Sequence, residues 1–290
     1  MNILNTNALP KIGVGLRHPH FKEALSIPAA IDFVEVHAEN FFADGGALHR
    51  ILKDISEQYA VSLHATAMGL GSFTDIPEYY ITQLLTLNRL INPFLMSDHA
   101  CFAWGHTDKK PVHAGDLLPI SYNAESLENM VKNVNQIQQR LGRKILVENL
   151  SAYIKMPGST MHETDFLISL CEQTECGLIV DLNNILVNEK NVDKSQILDA
   201  AKAWLNQIPA QHIGEFHLAG YSQPAVGALA IDDHSQPVSE DGWALYEYAL
   251  TQFGPVPTLI EWDNLLPSWE TLVDQAQKAK VIAHKVFNHV

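Results

Sequence analysis

Six short apolar runs of this chain each end in a histidine or a carboxylate, namely His64, His99, Glu148, Asp181, His217 and Glu261. Imidazole and carboxylate groups are ligands for divalent transition metals. If the runs are parallel strands of a barrel, their C-terminal ends meet at one mouth. Ionisable side chains gathered there are costly to bury unless a cation joins them. The pattern therefore predicts a metal centre, which is itself the catalytic group, with no separate catalytic side chain assigned.

Each of these residues taken alone has a structural explanation. A single histidine at a strand end is more often a hydrogen-bonded loop residue than a ligand. Asp181 precedes Leu182-Asn183-Asn184, which also suits a helix N-cap. Six such residues at six run ends favour the metal site over coincidence.

The loop after the seventh run adds Asp232 and His234, which are two residues apart and can face one ion in an extended segment. Asn184 follows Asp181 by three residues and reaches the same region if a helical turn begins there. Together these residues give nine ligands for up to three ions. We expect Glu148 to bridge the first two ions, because carboxylates can bridge metal pairs. The predicted sets are His64, His99 and Glu148; Glu148, Asp181, His217 and Glu261; and Asn184, Asp232 and His234.

Eight apolar runs alternate with amphipathic stretches along the chain, which indicates βαβ units and a parallel sheet. Eight units in 290 residues fit a single (β/α)₈ barrel of the triosephosphate isomerase type better than an open sheet. We expect one α/β domain over residues 1–290. The predicted strands are Ile12–Leu16, Asp32–His37, Val61–His64, Phe94–His99, Lys144–Asn149, Leu178–Asp181, His212–Leu218 and Thr258–Trp262. The predicted helices begin near His20 and cover Leu48–Gln58, Glu78–Ile91, Ala124–Leu141, Glu163–Gln173, Ser195–Ile208, Gly242–Phe253 and Trp269–Val286.

The composition limits the classes of function. Hydrophobic residues make up 47% and charged residues 18%, as in ordinary globular proteins. The net charge of −14 disfavours a protein that binds nucleic acid through phosphate contacts. Three cysteines do not form a disulfide framework, and no signal peptide or membrane-spanning run is visible. We expect a cytoplasmic protein without a nucleic-acid or membrane partner.

The ligand order resembles that of the endonuclease IV and xylose isomerase-like barrels, but several motifs are more similar to another family. They resemble the multinuclear non-haem iron oxidases that modify cysteines of ribosomal peptides, in methanobactin and 3-thiaglutamate biosynthesis. The motifs are Gly13-Val14-Gly15-Leu16-Arg17, Glu35-Val36-His37-Ala38-Glu39-Asn40-Phe41-Phe42, Leu146-Val147-Glu148-Asn149, Asp181-Leu182-Asn183-Asn184, His217-Leu218-Ala219-Gly220 and Leu259-Ile260-Glu261-Trp262-Asp263.

The resemblance implies a xylose isomerase-like barrel with two or three irons held by the nine residues above. It also implies oxygen-dependent chemistry on a cysteine of a precursor peptide, together with a partner protein that presents the peptide. Glu39, Asn149 and Glu215 are then candidates to orient ligands or move protons. The loops Ala100–Leu118 and Ala219–Ser239 are candidates to grip the peptide.

This chain departs from the family pattern after the fourth run. It has Ser97-Asp98-His99 where the family usually has Ser-Glu-His, and Cys101-Phe102 where a serine and an aromatic residue are usual. We expect Asp98 to point away from His99, so the difference bears on the peptide and not on the metal.

Two other functions are compatible with the residues alone. One is a metallohydrolase or isomerase of the endonuclease IV type, with zinc or manganese in place of iron. Asn184, where that type has a histidine, disfavours it. The other is a metal-binding or peptide-binding barrel without turnover.

Overall fold

The computed structural model describes residues 9–43, 45–108, 110–192, 195–223, 225 and 227–288. Its barrel strands are β1 Ile12–Gly15, β2 Phe33–His37, β3 Ala60–His64, β4 Leu95–His99, β7 Leu146–Glu148, β8 Gly177–Asp181, β9 Ile213–Leu218 and β10 Thr258–Ile260, while β5 Phe102–His106 and β6 Pro111–Leu118 form a separate sheet. The eight parallel barrel strands close in the order β1-β10-β9-β8-β7-β4-β3-β2, with helices between consecutive strands. The predicted (β/α)₈ barrel is confirmed.

The barrel strands are short and almost wholly buried, because helices cover the outer face while side chains fill the interior. β1 is buried at all four of its residues, and β9 at five of six. Three strands end earlier than predicted, so that Leu16, Asn149 and Glu261 lie just beyond β1, β7 and β10.

The helices match the predicted ones closely, with one addition. They are α1 Phe21–Ser26, α2 Gly46–Gln58, α3 Glu78–Ile91, α4 Ala124–Leu141, α5 Glu163–Thr174, α6 Leu182–Val192, α7 Ile197–Leu205, α8 Glu240–Phe253 and α9 Trp269–Phe287. The addition is α6, which begins directly after Asp181. Side-chain N-caps start several helices: Asn123 accepts the Ser126 N–H at α4, and Ser239 accepts the Gly242 N–H at α8.

The segment between β4 and α4 was expected to be a loop, but it contains an antiparallel hairpin. The hairpin is formed by β5 and β6, and their register shifts between Phe102 and Trp104. Ser72 stabilises the start of this hairpin, because its hydroxyl accepts the N–H groups of Ala103 and Trp104 at 3.0 Å each.

The chain divides into two compact units. One, Val36–Ile179, holds β3, β4, β7, the hairpin and helices α2–α5; the other is formed by the described residues before Val36 and after Ile179. Strands β2 and β8 run across the two boundaries. The organisation as one domain stays a prediction. In the described part of the chain, none of the helices combines the length and the apolar character needed to cross a membrane.

Candidate metal centre

Strand register brings three of the predicted ligands together in the unit Val36–Ile179. In the β3–β4 pair, His64 lies opposite Ser97. In the β4–β7 pair, His99 lies opposite Glu148. Register partners in a parallel sheet present their side chains on the same face. His64, His99 and Glu148 therefore form one buried group, here called the first cluster, with ligand atoms all within 4.8 Å of one another.

The geometry of the first cluster suits one shared ion. Glu148 Oε2 lies 3.5 Å from His64 Nε2 and 3.6 Å from His99 Nε2. Two ligands that each lie about 2.1 Å from an ion are about 3.0–3.6 Å apart. The other ring nitrogen of His64, Nδ1, is 2.8 Å from the Ser97 hydroxyl. That hydrogen bond fixes the ring so that Nε2 faces Glu148.

Asp98 supports the segment that carries the first cluster. Its carboxylate accepts the N–H groups of His99 at 2.5 Å and Met68 at 2.8 Å, which joins β4 to the loop after β3. Burial raises the pKa of Asp98 to about 6, although His99 and the N–H of Met68 act in the opposite direction. The carboxylate lies 3.8 Å from the His99 ring nitrogen, beyond hydrogen-bonding distance.

A second cluster lies in the unit formed by the two ends of the chain. Ligand atoms of Asp181, His217 and Glu261 lie within 4.8 Å of one another, and all three side chains are buried. His217 Nδ1 is 3.0 Å from Glu261 Oε2. Asp181 also acts as a helix cap, because its Oδ1 accepts the Asn184 N–H at 2.7 Å. The two interpretations of Asp181 are thus compatible, since one oxygen caps α6 and the residue still belongs to the cluster.

Two fully buried carboxylates flank the far side of the His217 ring. Glu35 and Glu215 each lie near Nε2, at 3.8 and 3.9 Å. Glu215 was predicted, because it precedes His217 by two residues on β9 and so shares its face. Glu35 was not predicted as a site residue, although it lies on β2 two residues before His37 and the same spacing rule applies. Both carboxylates lie beyond hydrogen-bonding distance of Nε2, and ligand atoms of Glu35, Glu215 and His217 all lie within 4.8 Å of one another.

The loop after β9 places Asp232 and His234 together, as predicted. His234 Nε2 lies 2.9 Å from Asp232 Oδ1, and its Nδ1 lies 3.4 Å from Glu261 Oε2. Burial disfavours the charged ring, but the carboxylates of Asp232 and Glu261 outweigh it and raise the pKa of His234 well above its usual value. A proton on His234 thus balances the carboxylates when no ion is bound, and a metal ligand must lose that proton.

Asn184 is buried in the first turn of α6. Its neighbour Asn183 donates to Asp232 Oδ1 at 2.7 Å and ties α6 to the loop, a contact that was not predicted. The grouping of Asn184 with Asp232 and His234 around a third ion stays a prediction.

Arg17 and Asp263 were missed by the sequence analysis. The Arg17 guanidinium donates from Nε at 2.8 Å and from Nη2 at 2.5 Å to Asp263 Oδ1, and from Nη2 at 3.2 Å to Glu261 Oε1. A spacing rule could have found Asp263, which follows Glu261 by two residues. Arg17 carries a weaker signal, a single arginine after the β1 run.

The remaining predicted residues are Asn149, which is next to Glu148 in sequence, and Glu39, which contacts the segment after His64. Asn149 is buried and directly follows Glu148. Glu39 accepts the Thr66 N–H at 2.8 Å and a short hydrogen bond from the Tyr80 hydroxyl. Thr66 follows His64 by two residues, so Glu39 anchors the backbone beyond that histidine. Roles of Asn149 and Glu39 in catalysis stay predictions.

The chemistry of these groups fits a divalent metal. Each cluster combines buried imidazole with carboxylate, the ligand type of iron, zinc and manganese sites. Buried carboxylates at these separations repel one another unless a cation or a proton lies among them. The clusters can therefore hold metal; the assignment of nine ligands stays a prediction.

The family of the chain follows from its matches to known proteins. Residues 11–284 match the family model described as the RiPP precursor modification enzyme MbnB/TglH/ChrH, where RiPP denotes a ribosomally made, modified peptide. The chain belongs to this family. UPF0276 proteins of Rhizorhabdus wittichii and Chromobacterium violaceum are each 39% identical to it, over 274 and 280 residues. These alignments cover 94% of both chains in the first case, and 96% of this chain and 97% of the relative in the second.

Solved structures similar to this MbnB/TglH/ChrH family member support its fold. Endonuclease IV of Thermus thermophilus matches with a TM-score of 0.58 at 14% identity, covering 95% of this chain and 99% of that one. A D-psicose 3-epimerase matches with a TM-score of 0.59, also at 14% identity, covering 96% and 99%. A xylose isomerase domain protein from Alicyclobacillus acidocaldarius has a TM-score of 0.59 at 11% identity, covering 97% and 99%. The xylose isomerase-like barrel expected from the sequence is thus confirmed.

Proposed function

We propose that this protein is an iron-dependent oxidase that uses oxygen to modify a cysteine of a ribosomally made precursor peptide. The observation that carries the proposal is the family match over residues 11–284, joined to two buried clusters of histidines and carboxylates. The family description names peptide modification, and the clusters supply ligands for a redox metal.

The proposed ligand sets are those expected from the sequence. The first ion is held by His64, His99 and Glu148. The second is held by Asp181, His217 and Glu261, with Glu148 as a bridge. The third is held by Asn184, Asp232 and His234.

Side chains around the ligands prepare the site for the ions. Ser97 orients His64, and Glu35 and Glu215 face Nε2 of His217. When bound, iron supplies the electron transfer that reaction with oxygen requires.

The substrate is proposed to enter over loops at the ends of the strands. The segment Ala100–Leu118 begins directly after His99 and forms the β5–β6 hairpin. The loop Ala219–Ser239 begins shortly after His217 and carries Asp232 and His234. Both are proposed to hold the Cys-containing peptide, with a second protein presenting it. Cys101 is itself buried, and burial raises the pKa of its thiol well above the usual range.

The test is oxygen consumption by the iron-loaded protein. Protein purified without oxygen is analysed for metal, loaded with ferrous iron, and given oxygen with the cognate Cys-containing peptide and its presenting protein. We expect oxygen uptake above the peptide-free level and a changed peptide mass. A peptide with serine in place of cysteine, and the variant His64→Ala, are the controls and should show neither effect.

One result would replace the oxidase with a hydrolase. In that case the iron form consumes no more oxygen with peptide than without it, while a zinc or manganese form hydrolyses a phosphate ester. Metal binding without turnover of either substrate would indicate a binding protein.

A further inference from the structure

Arg17 is unusual among the cations of this protein. In the described part of the chain it is the only arginine or lysine whose side chain is buried, at 6% exposure. Arg17 lies two residues after the end of β1, so the barrel wall fixes its backbone. An arginine placed at such a position among carboxylates acts as a fixed charge, because its pKa is too high for the group to lose a proton.

The guanidinium holds one oxygen from each of two carboxylates. Its Nε and Nη2 groups both donate to Asp263 Oδ1. Its Nη2 group also donates to Glu261 Oε1 at 3.2 Å. The planar guanidinium thus joins the two carboxylates with donors in fixed directions, a geometry that the single ammonium group of lysine does not reproduce.

The opposite oxygens of the same carboxylates face the histidines. Glu261 Oε2 is 3.0 Å from His217 Nδ1 and 3.4 Å from His234 Nδ1. Asp263 Oδ2 is 3.3 Å from His234 Nδ1. Each carboxylate thus has one oxygen held by Arg17 and one oxygen turned to a histidine: His217 and His234 for Glu261, and His234 for Asp263.

We propose that Arg17 is a positioning residue for the second cluster: it holds Glu261 so that Oε2 is the oxygen offered to an ion, and it places a permanent positive charge beside that ion. The inference rests on the proposed function only in taking the ion to be iron. A fixed positive charge disfavours the more highly charged oxidised state of a neighbouring metal, so Arg17 raises the reduction potential there.

Two substitutions separate the geometric role from the charge. Arg17→Lys keeps the positive charge but loses the planar set of donors. Arg17→Gln with Asp263→Asn removes the cation together with the carboxylate it balances, which avoids an uncompensated buried charge. Arg143→Lys is the control, because Arg143 donates to the carbonyls of Pro93 and Phe94 and not to the clusters.

The first measurement uses cobalt(II) alone, without peptide or oxygen. Cobalt affinity is determined by competition with a chelator, and the visible absorption of the bound ion reports its ligand geometry. We expect Arg17→Lys to bind at least one ion about 10–100-fold more weakly, with an altered spectrum, as for other residues that orient metal ligands. Arg143→Lys should keep the affinity and spectrum of the unmodified protein.

The second measurement is the reduction potential of the iron-loaded proteins. We expect it to be lower in the double variant than in a single Asp263→Asn variant, since these two proteins differ only in the positive charge at position 17. If Arg17→Lys keeps the cobalt spectrum and affinity, the positioning role is wrong. If the two potentials are equal, the charge role is wrong. Neither result depends on oxygen uptake with peptide, so a failure of the oxidase proposal is recognised separately.

Discussion

Gly220 offers a structural test of how the loop that carries Asp232 and His234 is held. It lies two residues after β9 and packs against the backbone of the same loop near its end. A Cβ atom at position 220 would lie 2.6 Å from the carbonyl carbon of Gln236, and still closer to the carbonyl oxygens of Gln236 and Pro237. No rotation of a side chain can relieve this contact, because all the atoms belong to the backbone. In Gly220→Ala, the loop must move.

The size of the effect follows from that contact. Cβ atoms in real proteins are essentially never closer than 3.0 Å to such atoms, so the Gln236–Pro237 segment must shift by about 0.4 Å or more. Overpacking of this kind lowers the free energy of unfolding by about 1–3 kcal/mol. His234 lies two residues before Gln236, so the displacement reaches the predicted ligands of the third ion. We expect Gly220→Ala to lose that ion and to keep the ions of the other ligand sets.

The assay combines urea unfolding of the metal-free protein with elemental analysis of the metal-loaded protein. Gly227→Ala is the matched control, because it lies in the same loop and a Cβ there meets no atom within 4 Å. Its backbone angle φ of +85° still makes alanine unfavourable, by about 1–2 kcal/mol, but without displacing the loop. The reasoning is refuted if Gly220→Ala unfolds like the parent protein, or if Gly227→Ala loses as much metal as Gly220→Ala.

Two predictions concern the metal ligands and their support. Ser97→Ala removes the hydrogen bond to His64 Nδ1, so we expect about 10–100-fold weaker binding of one ion in chelator competition, with Ser126→Ala, a buried serine on α4, as the unaffected control. Unchanged affinity in Ser97→Ala would show that the hydroxyl does not orient the ring. Glu148→Ala and Glu261→Ala should each remove more metal than His234→Ala in elemental analysis, because the glutamates end barrel strands and Glu148 is proposed to serve two ions. Equal losses, or a larger loss in His234→Ala, would contradict this order.

The barrel could be predicted from sequence because its signal is local and repeated. Each strand is a buried apolar run, and each helix repeats the 3.6-residue pattern, so eight alternations outweigh an error in any one of them. Helix α6 was missed because its sequence, from Leu182 to Val192, contains four asparagines, which have low intrinsic helix propensity. Tertiary burial stabilises it, since Leu182, Ile185, Leu186 and Val187 are all buried.

The parts of the candidate site that follow from residue spacing could be predicted from the sequence. The i, i+2 rule pairs Glu215 with His217 and Asp232 with His234, and strand register then gives the first cluster. The cation was not predictable in the same way, because Arg17 meets its partners 244 and 246 residues later in the chain. Closure of the barrel brings these residues together, and composition and periodicity do not predict which individual residues then meet.

The buried charges of the unit formed by the two chain ends favour a cation at its second cluster. Glu35, Asp181, Glu215 and Glu261 are all buried there, with exposures of 4% or less. Two positive charges offset these carboxylates. They are the fixed charge of Arg17 and a proton on His234, whose pKa is raised by the surrounding carboxylates. Protons can neutralise the remainder only by removing the negative charge that makes the carboxylates good ligands. A divalent ion neutralises two of them at once and keeps both as ligands. The charge balance of the buried site therefore favours a bound metal ion.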